Sequence, residues 1–146
     1  MDRREAMTAV GAALTMAALS KVAQAEDSNM AMPHMEMHYQ GLIEATSHCV
    51  RNGQLCLSHC LFLLGNGDDS MADCSKAVNQ MLACCSALQS LASQGSRLVP
   101  AMARVALEAC TQCEQACRKH ADMHAPCKAC MESCTECIKQ CRAVAA

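Results

Sequence analysis

The stretch CKACMESCTECIKQC, residues 127–141, places five cysteines three or four residues apart. Successive residues of an α-helix advance by about 100°, so these cysteines fall within an arc of about 80° on a helical wheel. A soluble helix normally shows leucine, isoleucine and valine on such a stripe, which faces the core of the protein. The stretch therefore predicts a helix whose buried face is made of thiols.

The chain contains fourteen cysteines, and the others repeat the pattern in three more segments: Cys49, Cys56 and Cys60; Cys74, Cys84 and Cys85; and Cys110, Cys113 and Cys117. The first of these sets spans about 40° of a helical wheel and the last about 60°. The middle set is looser, because Cys84 lies about 80° from Cys74, at the edge of the stripe. Cysteine can fill a core as a small hydrophobic residue, but that explanation suits one or two positions better than four aligned stripes.

Glycines, prolines and capping residues divide this region into four helices, at about residues 35–64, 70–95, 98–121 and 126–144. Gly65 ends the first helix, and Ser70 with Asp73 forms a capping signal for the second. Pro100 and Pro126 stand in the first turns of the third and fourth helices, where proline is tolerated. Short connections make neighbouring helices antiparallel. The sequence thus predicts an all-α fold, an up-down-up-down four-helix bundle with thiols lining the core.

Residues 1–25, MDRREAMTAVGAALTMAALSKVAQA, are typical of a bacterial export signal. Arg3 and Arg4 precede an apolar run over residues 6–19, and Ala23 and Ala25 suit a signal peptidase. Because a membrane-spanning helix needs about 18 apolar residues or more, we expect no stable membrane anchor. The paired arginines favour the twin-arginine (Tat) route, with ordinary secretion as the alternative, and we expect a periplasmic protein.

A tail rich in methionine and histidine, residues 26–34, separates the signal from the bundle, residues 35–146. The soft ligands in and next to this tail are Met30, Met32, His34, Met35, Met37 and His38. This composition is typical of a segment that captures soft metal ions, although methionine also occurs as filler at exposed termini.

The composition excludes several classes of partner. The chain has one tyrosine, one phenylalanine and no tryptophan, and its formal net charge is −2 at pH 7. A platform on which bases stack needs aromatic side chains, and binding to a polyanion needs a basic surface. We therefore expect no nucleic-acid partner.

Cysteines on one helix are poorly placed to form disulfides with one another. Side chains three or four residues apart on a helix start about 5–6 Å apart, whereas a relaxed disulfide needs about 3.5–4.5 Å between its Cβ atoms. Two sulfurs that bind one metal ion at about 2.3 Å lie about 4.6 Å apart, which fits the helical spacing. Disulfides between helices stay open, so a periplasmic disulfide-framed or thiol-redox module is the alternative to metal binding.

Coordination chemistry favours Cu(I) as the metal. Zn(II) needs four ligands in a closed shell, so fourteen thiols hold three zinc sites at most. Cu(I) is satisfied by two or three soft sulfurs, and each ion offsets the charge of one thiolate. We therefore expect multiple Cu(I) ions on the cysteines, with a zinc or cadmium buffer as a third interpretation.

We expect no catalytic residues and no enzymatic activity. The sequence lacks the C-x-x-C-H motif of covalently bound haem and the cysteine spacing of bacterial ferredoxins. A di-iron bundle needs inward glutamates, but Glu44 lies about 140° from Cys49 on the helical wheel. A catalytic Cys–His pair needs one activated thiol, whereas this chain has many similar ones.

Antiparallel order brings different residues to the two ends of the bundle. One end is predicted to be plugged by the apolar residues Leu42, Ala45, Leu88, Ala92, Val99, Ala103 and Ala106. The other end gathers Cys60, Cys74, Cys117 and Cys127 with His59, Met71, His120, Met123 and His124. Thioether and imidazole are neutral ligands that exchange Cu(I) readily, so we expect this end to be the mouth through which metal passes. Ordinary polar loop residues are the alternative interpretation.

Taken together, these features resemble the bacterial copper storage proteins, four-helix bundles lined with cysteine that hold many Cu(I) ions. The resemblance runs from about residue 38 to residue 145. Its specific marks are SHCV at 47–50, CLSHC at 56–60, SMADC at 70–74, CTQCEQAC at 110–117 and the five-cysteine stretch at 127–141.

The resemblance implies high-capacity Cu(I) storage, a role in copper homeostasis and a homotetramer. The export signal is similar to that of the secreted branch, associated with methane-oxidising bacteria, which implies supply to copper enzymes through copper donor and acceptor proteins or chelators. All fourteen cysteines are implied as Cu(I) ligands, with His59 and Met71 at the mouth. The chain departs from the family at Leu63 and Asn66, where a close relative has methionine, and Cys84 is an addition.

Overall fold

A computed structural model of the protein describes residues 38–145, so the predicted signal and the Met/His-rich tail lie outside the described residues. Its four helices are α1 (Gln40–Gly65), α2 (Ala72–Ser93), α3 (Val99–Arg118) and α4 (Ala125–Val144). No strand occurs between residues 38 and 145, and the predicted all-α class is confirmed. Over the same range, no helix combines the length and the hydropathy that crossing a bilayer requires.

The first helix begins later than its sequence pattern predicts. The sequence predicts a start at about residue 35, but His38 and Tyr39 form a turn and the helix starts at Gln40. Beyond Gly65 the chain reverses at Gly67, which has a φ of 88°. The amides that follow α1 bond back to the carbonyls of its last turn. Glycine adopts this left-handed conformation without strain, and it allows the sharp connection to α2.

A short 3₁₀ turn (Asp69–Met71) leads into α2. Asp68 accepts hydrogen bonds from the main-chain N–H of Ser70 at 3.1 Å and from its hydroxyl at 2.6 Å. The prediction that Ser70 and Asp73 cap the second helix was therefore wrong, and no side chain caps the first residue of α2. Asp68 takes the Ser70 N–H that the Asp73 carboxylate would accept in a capping box, because its short side chain readily closes an Asx turn.

The starts of α3 and α4 agree with the sequence. A proline lies in the first turn of each helix, as predicted. Ser96 Oγ accepts a hydrogen bond from the main-chain N–H of Leu98 at 3.2 Å, but no side chain caps α3 itself. The end of α3 differs, because the helix stops at Arg118 instead of near residue 121. There the N–H of His120 bonds to the carbonyl of Cys117, three residues back, and tightens the chain into a turn.

Each helix packs against two neighbours: α1 and α3 each contact both α2 and α4. Neighbouring helices are antiparallel, as side-chain contacts between them show. From Cys49 to Cys56 on α1, the contacted residue on α4 changes from Ser133 back to Cys127. From Cys74 to Cys85 on α2, the contacted residue on α3 changes from Cys117 back to Cys110. The predicted up-down-up-down bundle is therefore confirmed, and its four inward faces enclose one core.

Candidate metal centre

Thiols line the interior of the bundle. Thirteen of the fourteen cysteines have at most 1% of their surface exposed, and all fourteen are free thiols. The buried polar residues of the described range are Thr46 and Ser133, whose hydroxyls are occupied by main-chain carbonyls. Sulfur is therefore the ligand atom that the interior offers, and the predicted thiol-lined core is confirmed.

Twelve of the buried sulfurs fall into four groups, and within each group all sulfurs lie within 4.8 Å of one another. The deep group is Cys49, Cys85, Cys110 and Cys137, and the mouth group is Cys56, Cys60, Cys74 and Cys127. The two middle groups are Cys56, Cys117 and Cys130, and Cys113, Cys130 and Cys134. Cysteines 127 to 141 extend over about 21 Å of helix axis, so the groups form a column along the bundle.

The deep group takes one cysteine from each helix. Cys85 Sγ lies 3.4 Å from Cys110 Sγ and 4.0 Å from Cys137 Sγ. The thiol of Cys49 donates to the main-chain carbonyl of Ser133 at 3.1 Å. Sequence reasoning missed this contact, and no sequence signal could have indicated it, because the acceptor is a carbonyl that every residue has.

The mouth group and the middle groups share sulfurs. Cys56 belongs to both the mouth group and one middle group, with its sulfur 3.7 Å from that of Cys127 and 3.9 Å from that of Cys117. Cys74 Sγ lies 3.6 Å from Cys117 Sγ and joins the same network. Cys130 belongs to both middle groups. A sulfur with neighbours on two sides can bridge two metal ions, so this part of the column forms a continuous row of ligands.

One side of the column lacks thiols near its middle. Between Cys74 and Cys85, α2 directs Val78 and Met81 inward, and both side chains are fully buried. The middle groups therefore draw on α1, α3 and α4 alone. Their three-sulfur composition follows from this interruption of the cysteine stripe on α2.

Cys84 and Cys141 stand apart from the four groups. The sulfur of Cys141 lies 3.9 Å from that of Cys137, so it extends the column next to the deep group. Cys84 is half-buried and lines a surface groove of about 490 Å³ with Arg104 and Glu108. The structure does not bring Cys84 to the other thiols, because its place at the edge of the helical stripe turns it away from the interior.

Hydrogen bonds between thiols shift their pKa values in both directions. Hydrogen bonding to Cys110 and Cys137, together with burial, raises the pKa of Cys85 above its ordinary value. Hydrogen bonds from Cys110 and two further thiols lower the pKa of Cys137 to about 5. A hydrogen bond from Cys113 acts in the same direction on Cys117, whose pKa is about 6. Hydrogen bonding within the interior therefore favours the thiolate form of Cys137 and Cys117 and the protonated form of Cys85.

The residues predicted for the mouth lie in different surroundings. His59 Nε2 and His124 Nδ1 are hydrogen-bonded at 3.0 Å, and the His120 ring centre is 6.4 Å from that of His124. Met71 is fully buried and belongs to the same cluster of buried residues as the thiols. Met123, in contrast, is 73% exposed. The structure therefore brings the three histidines together and leaves the side chain of Met123 toward solvent.

The opposite end contains the apolar residues that the sequence predicts. All seven predicted plug residues are buried: Leu42, Ala45, Leu88, Ala92, Val99, Ala103 and Ala106. Of the candidate tail ligands, Met30, Met32, His34, Met35 and Met37 lie outside the described residues. His38 is exposed, with its ring 5.0 Å from that of Tyr39.

Two comparisons with known proteins agree with this geometry. The sequence profile of the copper storage protein family, Csp, matches residues 35–146. Among solved structures, the chain is similar to a Cu(I)-bound copper storage protein, BsCsp3, with a TM-score of 0.67 and 24% sequence identity over 73% of this chain and 97% of that one. At this identity the likeness shows the shared fold. Among curated proteins, none matches the chain.

Proposed function

The chain belongs to the copper storage protein family, and we propose that it holds Cu(I) in quantity on thiolates along the interior of its bundle. The observation that carries this proposal is the column of buried thiols, whose neighbouring sulfurs lie 3.4–4.0 Å apart where they contact one another. The ligands we propose are the thirteen buried cysteines, and we leave Cys84, which belongs to none of the thiol groups, out of this set.

The spacing of the sulfurs suits low-coordinate Cu(I). With metal–sulfur bonds of about 2.3 Å, three sulfurs around one ion lie about 4.0 Å apart and two opposed sulfurs about 4.6 Å apart. Every group of sulfurs falls within 4.8 Å, so small side-chain rotations bring each set to a bonding distance. Sulfurs shared between groups can serve two ions, which lets the number of ions approach the number of thiols.

Charge favours a monovalent ion in this interior. The buried residues of the described range include no lysine, arginine or histidine. Thiolates in such surroundings need an equal positive charge, because unpaired buried charge is costly. One Cu(I) per thiolate supplies that charge, whereas a tetrathiolate site with a divalent ion keeps a surplus of two negative charges.

We further propose that copper passes through the end of the bundle that carries His59, His120 and His124. His59 precedes Cys60 of the mouth group in the chain, and His124 lies three residues before Cys127. The two rings are in direct contact across α1 and the start of α4. Imidazole nitrogens at this point are exchangeable ligands next to the first thiols, whereas the other end is closed by apolar side chains.

The cellular role is also a proposal. The signal-like residues 1–25 support export to the periplasm, and from there we propose supply to copper enzymes through donor and acceptor proteins or chelators. Family membership supports a homo-oligomer, with the tetramer as the specific form. The family is one of storage proteins, and we propose that this chain has no catalytic activity.

An anaerobic titration of the reduced protein with Cu(I), against a chromophoric Cu(I) chelator, tests the storage proposal. We expect saturation near the number of buried thiols. Saturation at three ions or fewer would instead indicate closed four-ligand sites of the zinc type. Thiol counting under denaturing conditions is the control, because a freshly isolated protein with few free thiols would favour the disulfide-framed alternative.

A further inference from the structure

The deep group, Cys49, Cys85, Cys110 and Cys137, differs from the other thiol groups in sharing no member with them, although Cys137 also lies 3.9 Å from Cys141. None of its four sulfurs belongs to another group, whereas Cys56 and Cys130 each belong to two. Each of the four helices supplies one of the sulfurs. Four thiolates that bind no second ion form the ligand set of a closed tetrahedral site. We propose that the deep group binds one thiophilic divalent cation, of the Zn(II) class, when Cu(I) is absent.

The sulfur positions are close to those of a tetrathiolate. A tetrahedral ion with four metal–sulfur bonds of about 2.3 Å holds its sulfurs about 3.8 Å apart. In the deep group the two closest contacts of Cys85 are 3.4 and 4.0 Å, and all six separations are within 4.8 Å. Each sulfur therefore needs to move by less than about 1 Å, which rotation about the Cα–Cβ bond supplies. The middle groups have three sulfurs each and cannot close this shell, and the mouth group, which also has four, shares Cys56 with a middle group.

Charge predicts how tightly this ion is held. In the bound site all four sulfurs are thiolates, so binding releases to solvent every proton that they still carry and leaves a net charge of −2 on the site. The described part of the chain places no buried cationic side chain near it. The surplus charge weakens divalent binding relative to Cu(I), which leaves no such surplus. We therefore expect Cu(I) to displace the divalent ion as copper fills the column.

An ion at this position would stabilise the copper-free bundle. It joins all four helices at the level next to the apolar plug, where Leu88 and Ala106 follow the deep cysteines toward the closed end. A ligand that binds the folded chain and not the unfolded one raises the melting temperature as its concentration rises. If the deep group binds zinc, the melting temperature of the copper-free protein should rise with the zinc concentration. Copper storage alone does not require this dependence.

Co(II) is the spectroscopic probe for this site, because tetrahedral cobalt with four thiolates gives intense charge-transfer and ligand-field bands that octahedral cobalt lacks. We expect the reduced, metal-free protein to bind one equivalent of Co(II) with this spectrum, and Cu(I) to bleach it. Cys85→Ser should abolish the first equivalent, and Zn(II) should no longer raise the melting temperature of that variant. The matched control is Cys74→Ser, which alters the mouth group and should keep both effects.

Three outcomes would overturn the proposal. The unaltered protein could show only the spectrum of octahedral Co(II). Alternatively, the tetrathiolate spectrum could remain in the Cys85→Ser variant, or it could be lost in the Cys74→Ser variant. Circular dichroism of each variant establishes that its helices are intact. If the Cys85→Ser variant does not fold, zinc X-ray absorption of the Cys74→Ser variant, whose mouth group has only three thiols, decides, with four sulfurs at about 2.3 Å supporting the deep site and fewer contradicting it. Cu(I) capacity is measured separately, so failure of this proposal and failure of copper storage are distinguishable.

Discussion

Met81 Cε lies 2.7 Å from the position that a Cβ atom on residue 53 would take, and only a glycine leaves this space. Met81 is the fully buried side chain that α2 directs inward where its cysteine stripe is interrupted. Leu82 Cδ2 approaches the same position to 2.9 Å. Gly53 on α1 therefore permits the close approach of α2, whose Met81 fills the side of the column without cysteine.

We predict that Gly53→Ala destabilises the metal-free protein by about 1 kcal/mol. The added methyl group overpacks against Met81 and Leu82, at a cost of about 1–3 kcal/mol. Replacing glycine inside a helix recovers up to about 1 kcal/mol of helix propensity, which offsets part of this cost. Thermal unfolding in reductant should show a melting temperature lower by several degrees.

Gly65→Ala is the matched control. Gly65 is also helical and belongs to the same helix, but no atom lies within 4 Å of its added Cβ. This variant should be as stable as the unaltered protein or slightly more so. If Gly53→Ala is as stable as Gly65→Ala, the close packing of Met81 against α1 is not a constraint on the fold.

Replacing both Cys113 and Cys134 by serine should lower the Cu(I) capacity by only a few ions. Both residues belong to one middle group, and neither belongs to the deep group or the mouth group. With two or three sulfurs needed for each ion, we expect the loss to be about two to four ions. Anaerobic titration of the double variant measures this loss, and complete loss of binding would contradict a column of many local sites.

Cys84→Ser is the control for that experiment. Cys84 lines a surface groove and belongs to none of the thiol groups. We therefore expect its replacement to leave the capacity unchanged. If Cys84→Ser lowered the Cu(I) capacity as much as the double variant does, Cys84 would have to be counted among the copper ligands.

Copper affinity should fall as the pH falls. Cu(I) binds thiolates, so protons compete with it for every sulfur. Cys85, whose pKa is raised, carries a proton at neutral pH that copper must displace. Cys117 and Cys137, with pKa values of about 6 and about 5, begin to compete only at lower pH, so the fall should steepen there. Chelator competition between about pH 8 and about pH 5 measures the trend, and a pH-independent affinity would contradict binding by thiolates.

His59→Ala should slow copper transfer into the protein without changing its final capacity. The imidazole lies against His124 and next to the mouth group, but it belongs to none of the thiol groups. We expect the rate of transfer from a Cu(I) chelator to fall several-fold. His48→Ala is the control, because His48 is exposed on the same helix next to Cys49, far from the mouth along the chain. Equal rates for the two variants would contradict a role of this end in uptake.

The helical periodicity of the cysteines was sufficient to predict most of this structure. Spacings of three and four residues assigned the stripes to helices, and short connections fixed the antiparallel order. The burial of Cys130 and the exposure of Glu44 both follow from their angles on the helical wheel. A single stripe determines which side of a helix is inside, so the fold class and the thiol-lined core could be predicted from the sequence.

Details that depend on contacts between helices could not be predicted in this way. The hydrogen bond from Cys49 to the carbonyl of Ser133 joins residues far apart in the chain, and neither residue type indicates the contact in the sequence. The same is true of the four-sulfur deep group, whose members become neighbours only through the axial register of four helices. Before the start of α2, Ser70 donates a hydrogen bond to Asp68 and closes a local turn. This turn forms in place of the predicted cap by Ser70 and Asp73.

The location of copper in the loaded protein tests the central claim most directly. Anomalous scattering from crystals of the Cu(I)-loaded protein, collected on both sides of the copper absorption edge, gives each ion a position. We predict a row of copper peaks inside the bundle, from the level of Cys127 to that of Cys141, each about 2.3 Å from two or three of the buried sulfurs. Copper found only on the outer surface, with the interior sulfurs free of metal or joined in disulfides, would contradict the account.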